Sequence, residues 1–268
     1  MSDPTSIKTR FNTPGLLARS VLYHALAVLF RHPDAWEEDA LSSEETGDWR
    51  AAARILAAES HSRLSESLES LLDQLGGIGR AELKIAYESV FGHSAHGACP
   101  PYELEYGEEH SHRQPQELGD IAAFYKAFGL QNATGVHERV DHVAVECEFV
   151  HFLLFKEVTA QHQRDEERAA LCEDALRHFF ADHLGRWLPS FTRGLSKQAP
   201  VGLIKALADF ALELVVADCH ALELHPGPRD LPLRSISQRE ETGCTSCTLK
   251  ASLYHSAGGT HAANDFAI

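Results

Sequence analysis

Three stretches of this 268-residue chain gather side chains that could do chemistry. The first is Cys99-Pro100-Pro101-Tyr102-Glu103-Leu104-Glu105-Tyr106-Gly107. Its two prolines hold the residues before them in extended geometry. Tyr102 and Tyr106 alternate with Glu103 and Glu105, and aromatic faces and carboxylates both attract a guanidinium. The loop therefore suits an arginine-containing peptide. It equally suits a packing role, with both rings laid on the protein body and both glutamates solvated.

The second stretch is Glu138-Arg139-Val140-Asp141-His142, which runs into the apolar sequence VAVECEFVHFLLFKE. Asp141 is a natural helix N-cap. His142 and Glu146 are one turn apart and share a face. Glu146 and Glu148 stand among apolar residues, where a carboxylate needs a partner or an open groove. The third stretch is Cys244-Thr245-Ser246-Cys247. Such a thiol pair can bind zinc or an iron–sulfur centre, or cycle as a redox couple. A closed zinc site needs two further ligands, for which His255 and His261, His220 and His225, or His93, His96 and Cys99 are the candidates. Their spacing matches no single zinc module, and two free thiols in an irregular tail are the other reading. The expectation is no cofactor, with Cys244 and Cys247 as the one place for a metal.

The sequence contains no phosphate-binding GxxxxGK[ST], no GxSxG elbow and no HExxH, and the Gly-Gly-Ile-Gly at 76–79 lacks the spacing of a dinucleotide fingerprint. Nothing in the sequence assembles a nucleophile, a base and an orienting acid. A protein that is not an enzyme is expected.

The elements that must position these groups read as helices. A first helix is expected from Pro14 to just before Pro33, with Leu22, Leu26 and Leu29 on one face. Others are expected near 48–58, 61–75, 81–91 and 116–128. The apolar helix starts at Asp141, and one long helix covers 164–188. A last helix runs over 201–222, with Leu203, Leu207, Phe210 and Leu214 in register. Residues 92–115 and 131–140 read as connections. After Leu224, Pro226, Pro228 and Pro232 crowd a segment without periodicity. The pattern predicts an all-α, single-domain bundle of about eight helices. A tail over 1–13 precedes the body at 14–224, and an irregular tail follows over 225–268. Cys147, Cys172 and Cys219 fall in apolar helical patterns and read as small buried hydrophobes.

Lys and Arg total 24 against 39 Asp and Glu, a net charge of −15 with His neutral. That surplus argues against a protein that tracks nucleic-acid phosphates, and suits a basic partner or simply solubility. No apolar run approaches the ~18 residues that cross a bilayer, so no membrane insertion is expected. The N-terminal residues lack a secretory core, and a cytoplasmic location is expected.

Taken together, LARSVLYHALAVLFRHPD, CPPYELEYG, ELGDIAAFYKAFGL and ERVDHVAVECEFVHFLLFKE resemble, in this order, the TorD/DmsD/NarJ family of molybdoenzyme maturation chaperones. The likeness covers about 16–222 and is strongest over 99–157. It is nearest to the chaperones of type II dimethyl-sulfoxide-reductase-family enzymes. The resemblance implies a non-catalytic helical protein with a hinge between its N- and C-terminal halves. Such a protein binds the immature catalytic subunit of a molybdenum oxidoreductase, often at its twin-arginine signal peptide, until the molybdenum cofactor is inserted. It implies a monomer or a hinge-swapped dimer. By position, the hinge maps to Glu138, Arg139, Val140, Asp141 and His142. The peptide-facing residues map to Tyr102, Glu103, Tyr106, Asp141, His142 and Glu146. Arg139 departs from the pattern, because the family hinge usually has proline there.

Overall fold

The computed structural model describes residues 10–92, 98–108, 113–130, 138–199 and 201–234. Cys244 and Cys247, with their proposed metal or redox role, lie outside the described residues, as do His93, His96, His255 and His261.

Nine α-helices occur among the described residues: α1 Thr13–Leu29, α2 Ser43–Ser60, α3 Leu64–Gly76, α4 Arg80–Phe91, α5 Gln114–Ala127, α6 Val143–His162, α7 Glu166–Asp182, α8 Leu184–Gln198 and α9 Leu203–Ala221. Short 3-10 turns occupy Pro33–Ala35 and Glu103–Glu105. Among the described residues there is no strand beyond two isolated bridges, Tyr102 with His142 and Tyr106 with Leu233. The fold is all-α, as expected.

Local signals set the helix ends. Asn12 caps α1, its side chain accepting from the Gly15 N–H at 2.7 Å, and Pro14 sits in the first turn. Ser42 caps α2 by accepting from the Glu45 N–H. That cap lies several residues ahead of the 48–58 expected from apolar spacing.

Helix α6 runs between α1 and α7; α1 also meets α2, and α9 lies against α3 and α8. Leu22, Tyr23, Leu26, Val150, Leu153, Phe179, Trp187, Phe210 and Leu214 are fully buried in the core between them. Cys99, Cys147, Cys172 and Cys219 are free and buried.

Two expectations need correction. The single helix expected over 164–188 is two helices, α7 and α8, separated at His183, where φ is −123° and ψ −105°. The second helix runs on through Gln198, past the expected end at 188, and its buried face of Leu184, Trp187, Leu188, Phe191 and Leu195 keeps helical spacing. Helix α8 carries Pro189 in its interior. Proline has no N–H, so the Gly185 carbonyl one turn earlier loses its usual helical donor. The Gly227 N–H supplies the replacement at 2.9 Å.

That bond belongs to the second correction. The stretch after Leu224 is irregular, as expected, but residues 225–234 are packed against the body as a strap. The Pro228 carbonyl accepts from the Ser190 hydroxyl at 2.7 Å, and the Leu231 N–H donates back to the same hydroxyl. A Cβ on Gly227 would lie 1.9 Å from the Arg186 carbonyl oxygen, so this close approach requires glycine.

Candidate functional site

The strap, the 99–107 loop and the start of α6 meet at one place. Along one edge of the loop, the Val143 N–H donates to the Pro101 carbonyl and the Glu103 N–H to the Asp141 carbonyl, both at 2.9 Å. Along the other edge, the Gly107 N–H donates to the Pro232 carbonyl and the Arg234 N–H to the Glu105 carbonyl. The loop is thus held between the hinge and the strap like the middle strand of a very short sheet. Pro100 and Pro101 hold the entry of the loop out of the helical region, and the extended Tyr102 and Tyr106 flank the 3-10 turn at Glu103–Glu105.

Charged side chains lock this arrangement. Arg139 lays its Nε and Nη2 on the two oxygens of Asp141 at 2.9 and 2.8 Å, and its Nη1 on Glu105 at 3.0 Å. The guanidinium also lies 4.4 Å from the centre of the Tyr102 ring. Asp141 accepts a further bond from the Leu104 N–H at 3.1 Å. Burial raises the Asp141 pKa above its ordinary value, against the opposing pull of Arg139 and the Leu104 N–H.

Asp141 is therefore not the N-cap expected from the sequence. His142 takes that role, its Nδ1 accepting from the Ala144 N–H at 3.1 Å. Burial pushes its pKa down to about 4, so the ring is neutral and able to accept. Asp141 is released from capping to hold Arg139.

Deeper in, Glu103 accepts from His183 Nδ1 at 3.0 Å and from Arg186 Nη2 at 2.6 Å. Burial opposes ionisation of Glu103, yet the hydrogen bond and the electrostatic pull of His183, and then of Arg186, win, and its pKa is lowered. Glu146 is fully buried and accepts from the Trp187 Nε1–H at 2.9 Å through one oxygen, while no donor reaches the other. Burial, and then the nearby charge of Glu103, raise its pKa well above the ordinary value. The two carboxyls are thus driven in opposite directions, Glu103 towards its charged form and Glu146 towards its neutral one.

The structure brings all six predicted peptide-facing residues together, but not onto one open surface. Glu103, Tyr106, Asp141, His142 and Glu146 are buried, and Tyr102 alone of the six is partly open. Tyr106 donates its hydroxyl to the Pro100 carbonyl at 3.0 Å and packs on Trp187 and Phe191. It anchors the loop, which is the packing alternative. Tyr102 donates to Glu138 at 3.1 Å and meets the His142 ring edge-on. Around it, Glu138, Arg139 and Val140 of the hinge are half-exposed.

His183, Arg186 and the strap carry no signal of their own in the sequence. His183 is one of 17 histidines, and its role follows from a helix break that the apolar spacing of 164–188 conceals. Among the described residues no group of three or more His, Cys, Asp and Glu is arranged to hold a metal ion, and no helix is long and apolar enough to cross a membrane.

Comparison with known proteins places this architecture. The family described as nitrate reductase delta subunit matches residues 57–193, about half of the chain. The chain belongs to that family. Among its relatives is the chlorate reductase assembly chaperone protein of Ideonella dechloratans, 28% identical over 190 residues, 70% of this chain and 81% of the relative. The perchlorate reductase assembly chaperone protein of Dechloromonas aromatica is 27% identical over 216 residues, 78% of this chain and 90% of the relative. The chaperone protein TorD of Photobacterium profundum is 24% identical over 156 residues, 58% of this chain and 69% of the relative. The first two of these relatives are named as assembly chaperones and the third as a chaperone.

Proposed function

We propose that this protein is a cytoplasmic chaperone for the catalytic subunit of a molybdenum oxidoreductase of the type II dimethyl-sulfoxide-reductase family. It holds the immature subunit, through its twin-arginine signal peptide, until the molybdenum cofactor is in place. The observation that carries this reading is the family match, joined to relatives named for the assembly of chlorate and perchlorate reductases.

The physics of the chain supports it. A twin-arginine leader is cationic, and a protein of net charge −15 attracts it at long range. Salt weakens that attraction. Tyr102, Glu138 and the half-exposed hinge then supply local contacts to a guanidinium. The buried Glu103, Asp141 and Glu146 shape this surface from beneath. A carrier must also release, and an affinity near micromolar, about −8 kcal/mol, serves both needs.

Capture of the client from its native host tests the reading. The tagged protein is expected to bring down a molybdoenzyme catalytic subunit that still carries its leader, as identified by mass spectrometry. Tyr102→Leu keeps apolar volume but removes the ring face and hydroxyl, and recovery is expected to fall about 5–10-fold with an unchanged helical spectrum. Equal recovery by the variant would remove Tyr102 from the binding surface. Absence of any such subunit from the wild-type capture would end the chaperone reading.

A further inference from the structure

Arg139 sits in a receptor built for its side chain. Asp141 engages it side-on through both oxygens, Glu105 takes a third N–H, and the Tyr102 ring lies 4.4 Å beneath its plane. Two edges and one face of a planar cation are thereby read. An ammonium could satisfy the charge but not that geometry.

Receptor and occupant differ in how firmly they are held. The Asp141 carboxylate is fully buried and fixed from behind by the Leu104 N–H. Glu105 is buried, and its carbonyl is tied to the strap by the Arg234 N–H. Arg139, by contrast, keeps 28% of its side chain exposed. It stands in the non-helical stretch 138–140, two residues before Asp141. Its side chain can therefore leave without unwinding a helix. Its departure would take a positive charge away from two buried carboxylates, which then favour another cation in its place.

We propose that Tyr102, Glu105 and Asp141 form a guanidinium-specific site whose resident is the chain's own Arg139, and that an arginine of a bound polypeptide enters by exchanging with it. The ligand class is an arginine side chain in an extended segment. Identifying that segment as the client leader rests on the function proposed above; the site itself does not. A tethered occupant competes at a high effective concentration, so the wild-type protein binds arginine peptides weakly and releases them readily. Arg139 acts as a built-in competitor that keeps the site closed to lysine-bearing or neutral segments.

The test removes the occupant. Arg139→Ala is expected to lower the thermal midpoint by about 5–10 °C, because two buried carboxylates lose this cation. Methylguanidinium at about 20 mM is expected to restore about half of that loss, while methylammonium at equal ionic strength restores none. Neither ion should shift the wild-type midpoint. The variant is also expected to bind acetyl-Arg-Arg-amide at least about 10-fold more tightly than the wild type does, and to prefer it over acetyl-Lys-Lys-amide. Should the alanine variant fail to fold, Arg139→Gln keeps most of the stem over Tyr102 and carries the same comparison. Equal response to the two ions, or equal dipeptide affinity of variant and wild type, would overturn the proposal.

Client capture separates this idea from the wider reading. Methylguanidinium rescue together with unchanged client capture by the variants would leave the site standing and remove its assignment to the leader. No rescue, with client still captured, would do the reverse.

Discussion

The chain uses one set of groups twice, in two settings. At the loop and hinge, Arg139 meets Asp141, Glu105 and the ring of Tyr102. At the other cluster, Arg19 of α1 meets Asp218 of α9 at 2.7 Å, Glu59 of α2 at 3.1 Å and the ring of Phe11 at 4.1 Å. The chemistry is the same: a guanidinium, two carboxylates and an aromatic face. The exposure differs, with 5% of the Arg19 side chain open against 28% for Arg139. So does the backbone. Arg19 and Asp218 stand inside long helices, whereas Arg139 and Asp141 stand on a connection. A guanidinium sealed between helices joins three elements permanently. The same guanidinium on a half-open connection can be exchanged.

Breaking each pair in turn sharpens the contrast. Asp218→Asn leaves Arg19 charged, almost wholly covered and short of its buried partner, with only the more exposed Glu59 left. A loss of about 3–5 kcal/mol of folding stability is expected. Asp141→Asn leaves Arg139 with Glu105 and with water within reach, and a loss of about 1–2 kcal/mol is expected. Denaturant unfolding of both variants measures the difference. An equal cost at the two sites would mean that the hinge arginine is as sealed as its counterpart.

The Arg19 end also holds a pH response. Glu157 of α6 is fully buried, with one oxygen accepting from Gln161 and the other reached by no donor. Burial, and then the charge of Glu173, push its pKa up to about 8. An acid whose folded pKa lies above its ordinary value of 4.5 stabilises the fold below that value. The contribution is lost as pH rises from about 4.5 through about 8, because the folded state keeps a proton that the unfolded chain has released. Glu157→Gln imitates the neutral acid. Between pH 6 and pH 9 the variant is expected to lose about 2–3 kcal/mol less stability than the wild type. Parallel stability curves over that range would show that Glu157 is already ionised in the fold.

These two ends are unequally legible from residue order. Helix faces repeat every three to four residues, so the apolar stripes of α1, α6 and α9 show in the spacing of their leucines and phenylalanines. The loop and hinge motifs stand out as unusual composition, and the structure does gather them. Their roles do not show in the same way. Whether Tyr106 packs or binds depends on Trp187 and Phe191, more than 80 residues away in the chain. Asp141 looks like a cap because cap preference is local, yet a bidentate arginine partner outranks that preference and leaves the cap to His142. The break at His183 is hidden because the apolar pattern runs straight through it. Arg19 is equally silent, since a lone arginine in a helix does not announce a partner on another helix 199 positions on.

The strap offers the gentlest way to disturb the open end without touching a charge. Gly227 carries two constraints at once. It has no room for a Cβ over the Arg186 carbonyl, and its N–H replaces the donor that Pro189 withholds from Gly185. Gly227→Ala must lift the strap or push α8, and a cost of about 1–3 kcal/mol is expected. Pro189→Ala returns an N–H to the helix, so the Gly185 carbonyl no longer depends on the strap. In that background the Gly227→Ala penalty is expected to shrink by about 1 kcal/mol, leaving the steric part alone. A double-mutant cycle on thermal or denaturant midpoints reads that coupling. Strict additivity would mean that the carbonyl left by Pro189 is satisfied without Gly227, and that the strap rests on α8 through shape alone.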